Sequence, residues 1–194
     1  MPRQLILGST SVYRRAVLEK LHLPFDTAAP NIDETRLENE SAAAMVQRLS
    51  LGKAQAIAPH HSDALIIGSD QCAVLNEQIL GKPGTHENAI RQLQASSGKT
   101  VRFLTGLCLY DTNSETYQLD LQTYQVTFRE LSAAEIEAYL HKEQPYNCAG
   151  SFKSEGFGIS LFKSMQGDDP NTLIGLPLIR LAEMLRQHGF NIPG

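Results

Sequence analysis

Leu5-Ile6-Leu7-Gly8-Ser9-Thr10-Ser11-Val12-Tyr13-Arg14-Arg15 decides how the chain is read. Three consecutive apolar residues stop at a glycine and give way to a run of hydroxyls. Val17, Leu18 and Leu21 then follow at helical spacing. That is a buried strand feeding a helix. Pro24 closes the helix, because proline lacks an N–H and disfavours helix before it. Ser41 opens a second helix carrying Val46, Leu49, Lys53 and Ile57, with Pro59 at its end. Ala64 to Ile67 is the next apolar strand, ending in Gly68-Ser69-Asp70-Gln71.

Outward from this core, Thr85 to Ser97 reads as a helix stopped by Gly98. Val101 to Tyr110 and Tyr117 to Phe128 are strand-like and flank the turn residues Asp111-Thr112-Asn113-Ser114. They predict a hairpin, so the sheet is mixed rather than purely parallel. Ser132 and Glu135 form a capping box ahead of Ile136, Tyr139 and Leu140. A last helix starts at Pro177 with Leu178, Leu181, Ala182 and Leu185, and Gly189 lies beyond its end. No repeat, low-complexity tract or linker interrupts residues 1–194. The expectation is a single α/β domain with a mixed sheet flanked by helices.

Composition narrows the function. Apolar residues make up 42% and charged residues 20% of 194 residues, as in a globular protein. The net charge of −4 supplies no basic field for nucleic acid, so an anionic ligand needs a local cluster of cations. No run approaches the roughly 20 apolar residues of a membrane span. Met1-Pro2-Arg3-Gln4 leads straight into a strand without a signal-peptide pattern, which places the expected protein in the cytoplasm. Cys72, Cys108 and Cys148 are odd in number and far apart, so thiols are expected rather than disulfides or a zinc knuckle.

Four segments carry candidate chemistry. The free N–H groups of a helix start, with Ser9, Thr10, Ser11, Arg14 and Arg15, make an anion site; hydroxyls that only cap the helix are the alternative. Asp70, at a strand end, suits a base or a metal ligand, or a turn. Asp33-Glu34 offers hard oxygen ligands for Mg²⁺ or Mn²⁺, or a solvated surface. Lys53, and Lys82 between Gly81 and Pro83, suit phosphate. Gly150, Gly156 and Gly158 surround Glu155, which can accept hydrogen bonds from a base edge. Two decoys fall away. Ser97-Gly98-Lys99-Thr100 ends like a P-loop, but Leu93 stands where the first glycine belongs and the helix precedes it. His60-His61 has no third ligand spaced nearby.

In this order the segments resemble the Maf-like nucleotide pyrophosphatases from Leu5 to about Leu185. The signposts are Ser9 to Arg14, Asp33-Glu34, Lys53-Ala54, Ser69-Asp70-Gln71, Lys82-Pro83, Ala149-Gly150-Ser151 and Gly175-Leu176-Pro177-Leu178. The resemblance implies an elongated, ITPase-like α/β fold with a central mixed, twisted sheet and a nucleotide cleft. It implies cleavage between the α and β phosphates, with Asp70 as proton acceptor. Ser9, Arg14, Lys53 and Lys82 match the family's polar substrate contacts. Glu34, with Asp70, matches an acidic position holding a divalent cation such as Mg²⁺ or Mn²⁺. A homodimer is also implied.

Many members read Ser-Pro-Arg-Arg where this chain has Ser11-Val12-Tyr13-Arg14, with threonine at position 71 and glutamine at position 155, and prefer dTTP and UTP. Tyr13, Gln71 and Glu155 depart together and resemble the branch acting on 7-methyl-GTP. The expected role is removal of a modified nucleotide. Pyrimidine triphosphate hydrolysis, and nucleotide binding that regulates septum formation, are the alternatives.

Overall fold

The computed structural model describes residues 3–193; Met1, Pro2 and Gly194, within the expected span, lie outside them. The chain divides into two compact units. The first comprises Met1–Gln71, Thr105–Gln122 and Asp169–Gly194; the second comprises Cys72–Leu104 and Thr123–Asp168.

Among the described residues, seven strands form one mixed sheet: β1 (Gln4–Leu7), β2 (Asp26–Thr27), β3 (Ala64–Leu75), β4 (Gln78–Leu80), β5 (Thr100–Asp111), β6 (Thr116–Phe128) and β7 (Phe162–Gln166). Their order is β2-β1-β3-β5-β6-β7, with β4 paired to β3 off this path. β1 runs parallel to both β2 and β3, whereas β3–β4 and β6–β7 are antiparallel. The helices are α1 (Val12–Glu19), α2 (Ala42–Ile57), α3 (His86–Ser96), α4 (Ala133–Glu143), α5 (Asn171–Ile174) and α6 (Leu178–Gln187).

In the first unit the period-two geometry of strands sorts side chains to two faces. Leu5, Leu7, Leu65 and Ile67 join Val17 and Leu18 of α1 and Leu181, Met184 and Leu185 of α6 in one buried cluster. Ile6 and Ile66 turn the other way, to Ala54 and Ile57 of α2. Burial on both faces explains why β1 reads as an unbroken apolar run. In the second unit, Phe152 is the centre of an aromatic cluster, edge-on to Phe103, Phe128 and Phe162 at 5.3, 5.6 and 4.8 Å between ring centres. Such edge-to-face pairs add to the energy of simple burial.

The expected capping box forms, and side chains cap the first three helices as well. Ser11, Ser41 and Thr85 accept hydrogen bonds from the backbone of α1, α2 and α3, and Ser132 and Glu135 complete the capping box of α4. Three expectations shift. The N–H groups of Lys20, Leu21 and His22 bond three residues back, and His22 takes a positive φ, so α1 ends well before Pro24. Pro177 is the cap of α6 rather than its first residue. The third strand does not stop at Gly68: β3 continues to Leu75, so Asp70 lies mid-strand. Among the described residues, no helix is long and apolar enough to cross a membrane.

Candidate active site

A Cβ at Gly68 would lie 2.0 Å from the Ser50 carbonyl oxygen, and one at Gly106 would lie 2.4 Å from that of Val46. Only glycine lets α2 approach β3 and β5 this closely. That approach sets the site. Ser50 and Lys53, three residues apart, share one face of α2. The Ser50 hydroxyl donates to Val46 O at 2.6 Å and accepts from the Asp70 N–H at 2.9 Å, pinning the strand at the aspartate.

Lys53 Nζ stands 2.6 Å from Asp70 Oδ1 and 2.9 Å from Glu34 Oε1. Lys53 and Asp70 are buried, whereas Glu34 is exposed. Arg14 completes the group. Its Nε donates to Gly175 O at 2.9 Å, and the Ser69 hydroxyl donates toward the same oxygen at 2.9 Å. Burial lowers the Arg14 pKa and the Asp70 and Glu34 carboxylates oppose that shift. The guanidinium remains a cation. Two buried or half-buried cations therefore face two carboxylates that converge on one point.

The remaining expected residues divide. Ser9 is buried and its hydroxyl accepts from Ser11 N–H at 3.1 Å. Arg15 is exposed and pairs with Glu19 on α1 at 3.1 Å. Asp33 turns back on its own loop, accepting from Thr35 N–H at 2.8 Å, so only Glu34 of the acidic pair reaches Lys53. Tyr13 is 40% exposed. Gln71 Nε2 lies 2.9 Å from Thr105 Oγ1, 2.6 Å from Thr172 O and 3.3 Å from Leu173 O. All three are acceptors, which fixes the amide orientation and makes Gln71 a brace between β3, β5 and α5. Arg48, not singled out in the sequence, pairs with Glu40 at 2.6 Å.

In the second unit, Lys82 is exposed on a loop held from both ends. Gln92 Nε2 donates to Gly81 O at 3.0 Å and Asn88 Nδ2 donates to Pro83 O at 2.8 Å. Glu155 is exposed, with the Ser154 hydroxyl 3.3 Å from its carboxylate. Gly150, at φ +75°, permits the turn preceding this segment. Cys72, Cys108 and Cys148 form no disulfide, and burial pushes the Cys108 thiol up to about 12.

Ser97 to Thr100 joins α3 to β5, so the P-loop reading fails in the structure as well. The carboxylate oxygens of Glu34 and Asp70 are a hard donor set, and their convergence fits a divalent cation of the Mg²⁺ or Mn²⁺ type.

A family model described as Maf-like protein matches residues 4–188. A 7-methyl-GTP pyrophosphatase of Colwellia psychrerythraea is 54% identical over 190 residues, covering 98% of this chain and 95% of that protein. One of Alcanivorax borkumensis is 55% identical over 189 residues, with 97% and 96% covered. Among solved structures, the Ham1 protein of Staphylococcus aureus aligns with a TM-score of 0.46 at 12% identity, over 66% of this chain and 73% of that one.

Proposed function

The chain belongs to the Maf family, and we propose that it hydrolyses 7-methyl-GTP to 7-methyl-GMP and diphosphate. The observation that carries the reading is the meeting of Lys53, Asp70 and Glu34 beside Arg14. A triphosphate is a polyanion, and a buried ammonium shared by two carboxylates is a cation that can change partners. Phosphate oxygens draw Lys53 toward the substrate and release Asp70 Oδ1. Asp70, braced through its N–H by Ser50, then accepts a proton from water. The water oxygen bonds to the α-phosphorus, the bond from that phosphorus to the bridging oxygen breaks, and diphosphate leaves with the electron pair. Arg14 stabilises the charge that develops on the phosphoryl oxygens.

Two cations against two carboxylates leave little surplus positive charge for a polyanion. A divalent cation held by Glu34 and Asp70 would supply it, and would orient the leaving diphosphate. Ser9 and Lys82 contribute further phosphate contacts.

Specificity falls to Tyr13, Gln71 and Glu155. Guanine presents an N1–H and a 2-amino group side by side. A carboxylate accepts both, whereas an amide has one acceptor oxygen. Methylation at N7 puts a positive charge on the purine, which favours Glu155 and allows Tyr13 a cation–π contact worth about 0.5–2 kcal/mol. Gln71 acts by holding Asp70's strand against α5. The protein acts in the cytoplasm as a homodimer, with residues 1–194 working as one catalytic domain.

Diphosphate release under multiple turnover tests the reading against a binding-only regulator. Continued release at substrate in large excess is expected. Tight nucleotide binding without release would replace hydrolysis with a regulatory role.

A further inference from the structure

α4 carries Glu137 and His141 one turn apart, on the same face of the helix. α3 begins with His86 directly after its Thr85 cap. His86 Nε2 lies 2.8 Å from Glu137 Oε2, and His141 Nε2 lies 3.7 Å from the same oxygen. The three candidate ligand atoms all fall within 4.8 Å of one another. The structure assigns these three side chains, all in the second unit, as a binding site for one zinc ion.

The geometry suits that ion. Zinc bonds of 2.0–2.2 Å at tetrahedral angles hold ligand atoms roughly 3.3 Å apart. Two of the three separations, 2.8 and 3.7 Å, bracket that spacing and the third lies within 4.8 Å, so small side-chain movements suffice. The second nitrogen of His86, Nδ1, lies 2.9 Å from the Tyr146 hydroxyl. Such a partner fixes the ring and leaves Nε2 for the metal. An ionised carboxylate oxygen only accepts, so imidazole nitrogens gathered around it are satisfied by protons or by a shared cation. Two imidazoles and one carboxylate form a borderline donor set, which favours zinc over Mg²⁺ or Ca²⁺. His141 is exposed, leaving the fourth position to solvent.

An ion here would tie α3 to α4 just after the Lys82 loop. Gly84 N–H already donates to Tyr146 O at 3.0 Å, so the ligand sphere and the loop share an anchor. The clip is a stiffening device, built from residues that the phosphate chemistry does not use.

The test is titration of the chelator-stripped full-length protein with zinc chloride against a chromophoric competitor at neutral pH, with Tm followed in parallel. Wild type is expected to bind one zinc ion per chain and to gain Tm. His141→Ala, an exposed substitution, should keep the metal-free Tm and lose stoichiometric binding, and His86→Ala should lose it too. Tyr146→Phe should weaken binding about tenfold. Glu34→Gln should bind zinc as wild type does. Undiminished binding in both histidine variants, loss of binding in Glu34→Gln, or no stoichiometric zinc on wild type would each overturn the site.

Discussion

Lys53 Nζ and Asp70 Oδ1 meet at 2.6 Å with both residues more than nine-tenths buried. The contact aims the carboxylate before substrate arrives, and it must loosen for Asp70 to take a proton. Asp70→Asn keeps the shape and removes the base. Turnover should fall by about two to four orders of magnitude, the usual worth of a positioned base. Substrate affinity should persist, since Arg14 and Lys53 remain. A variant with near-normal kcat would remove Asp70 from the mechanism.

Activity should vanish after exhaustive chelation and return with Mg²⁺ or Mn²⁺. Glu34→Gln should raise the metal concentration needed for half-maximal rate. Full activity in the presence of excess chelator would show that protein cations alone neutralise the triphosphate.

Gln71 is the brace most exposed to a conservative change. Gln71→Glu sets a carboxylate oxygen against Thr105 Oγ1, Thr172 O and Leu173 O, three acceptors that the amide now satisfies. Thr172 O keeps the Thr105 hydroxyl and the Gly175 N–H as donors, so the cost is that of facing a carboxylate with carbonyl oxygens in place of the amide's hydrogen bonds, about 1–3 kcal/mol. Urea denaturation of the variant at neutral pH measures it. An unchanged midpoint and slope would mean that Gln71 does not hold β3 to α5.

Acid should unfold the protein through a small set of carboxylates. Hydrogen bonds from Arg48 hold Glu40 down from 4.5 to about 2. The backbone and hydroxyl of Ser132, then Arg129, do the same for Glu135, also to about 2. Arg3 holds Asp111 well below the usual carboxylate range. Each folded-state pKa lies below its unfolded value, so the stabilisation is complete above the ordinary carboxylate range and is lost as pH falls from 4.5 toward about 2. Arg48→Met should flatten part of that loss. A stability profile that is level through this window would contradict these assignments.

How far the sequence speaks depends on whether the cause is local. Strand β1, the helix start at Ser41 and the capping box at Ser132 and Glu135 are legible because periodicity and capping act within a few residues. The length of β3 is not. Gly68 reads as a strand breaker, but it is glycine because α2 presses against it, a tertiary fact. Strands β2, β4 and β7 are too short, or too exposed, to leave a period, and exist through pairing. Ser50 is one polar residue in a largely apolar helix, and its three-residue spacing from Lys53 is the one local signal that points to it. His86 was hidden by the long chain separation from Glu137 and His141; only the one-turn spacing within α4 was visible. Arg14, Glu34, Lys53 and Asp70, which the fold gathers, are legible in the sequence by residue type and order.

Substrate preference tests the account most directly. The measurement is kcat/KM for diphosphate release from 7-methyl-GTP, GTP, UTP and dTTP by wild type and by Glu155→Gln, with saturating Mg²⁺ or Mn²⁺. The account predicts the highest value for 7-methyl-GTP in wild type. Glu155→Gln should lower that value more than it lowers the value for UTP. Wild-type preference for UTP or dTTP, or a Glu155→Gln variant that leaves the ranking and its spacing unchanged, would contradict it.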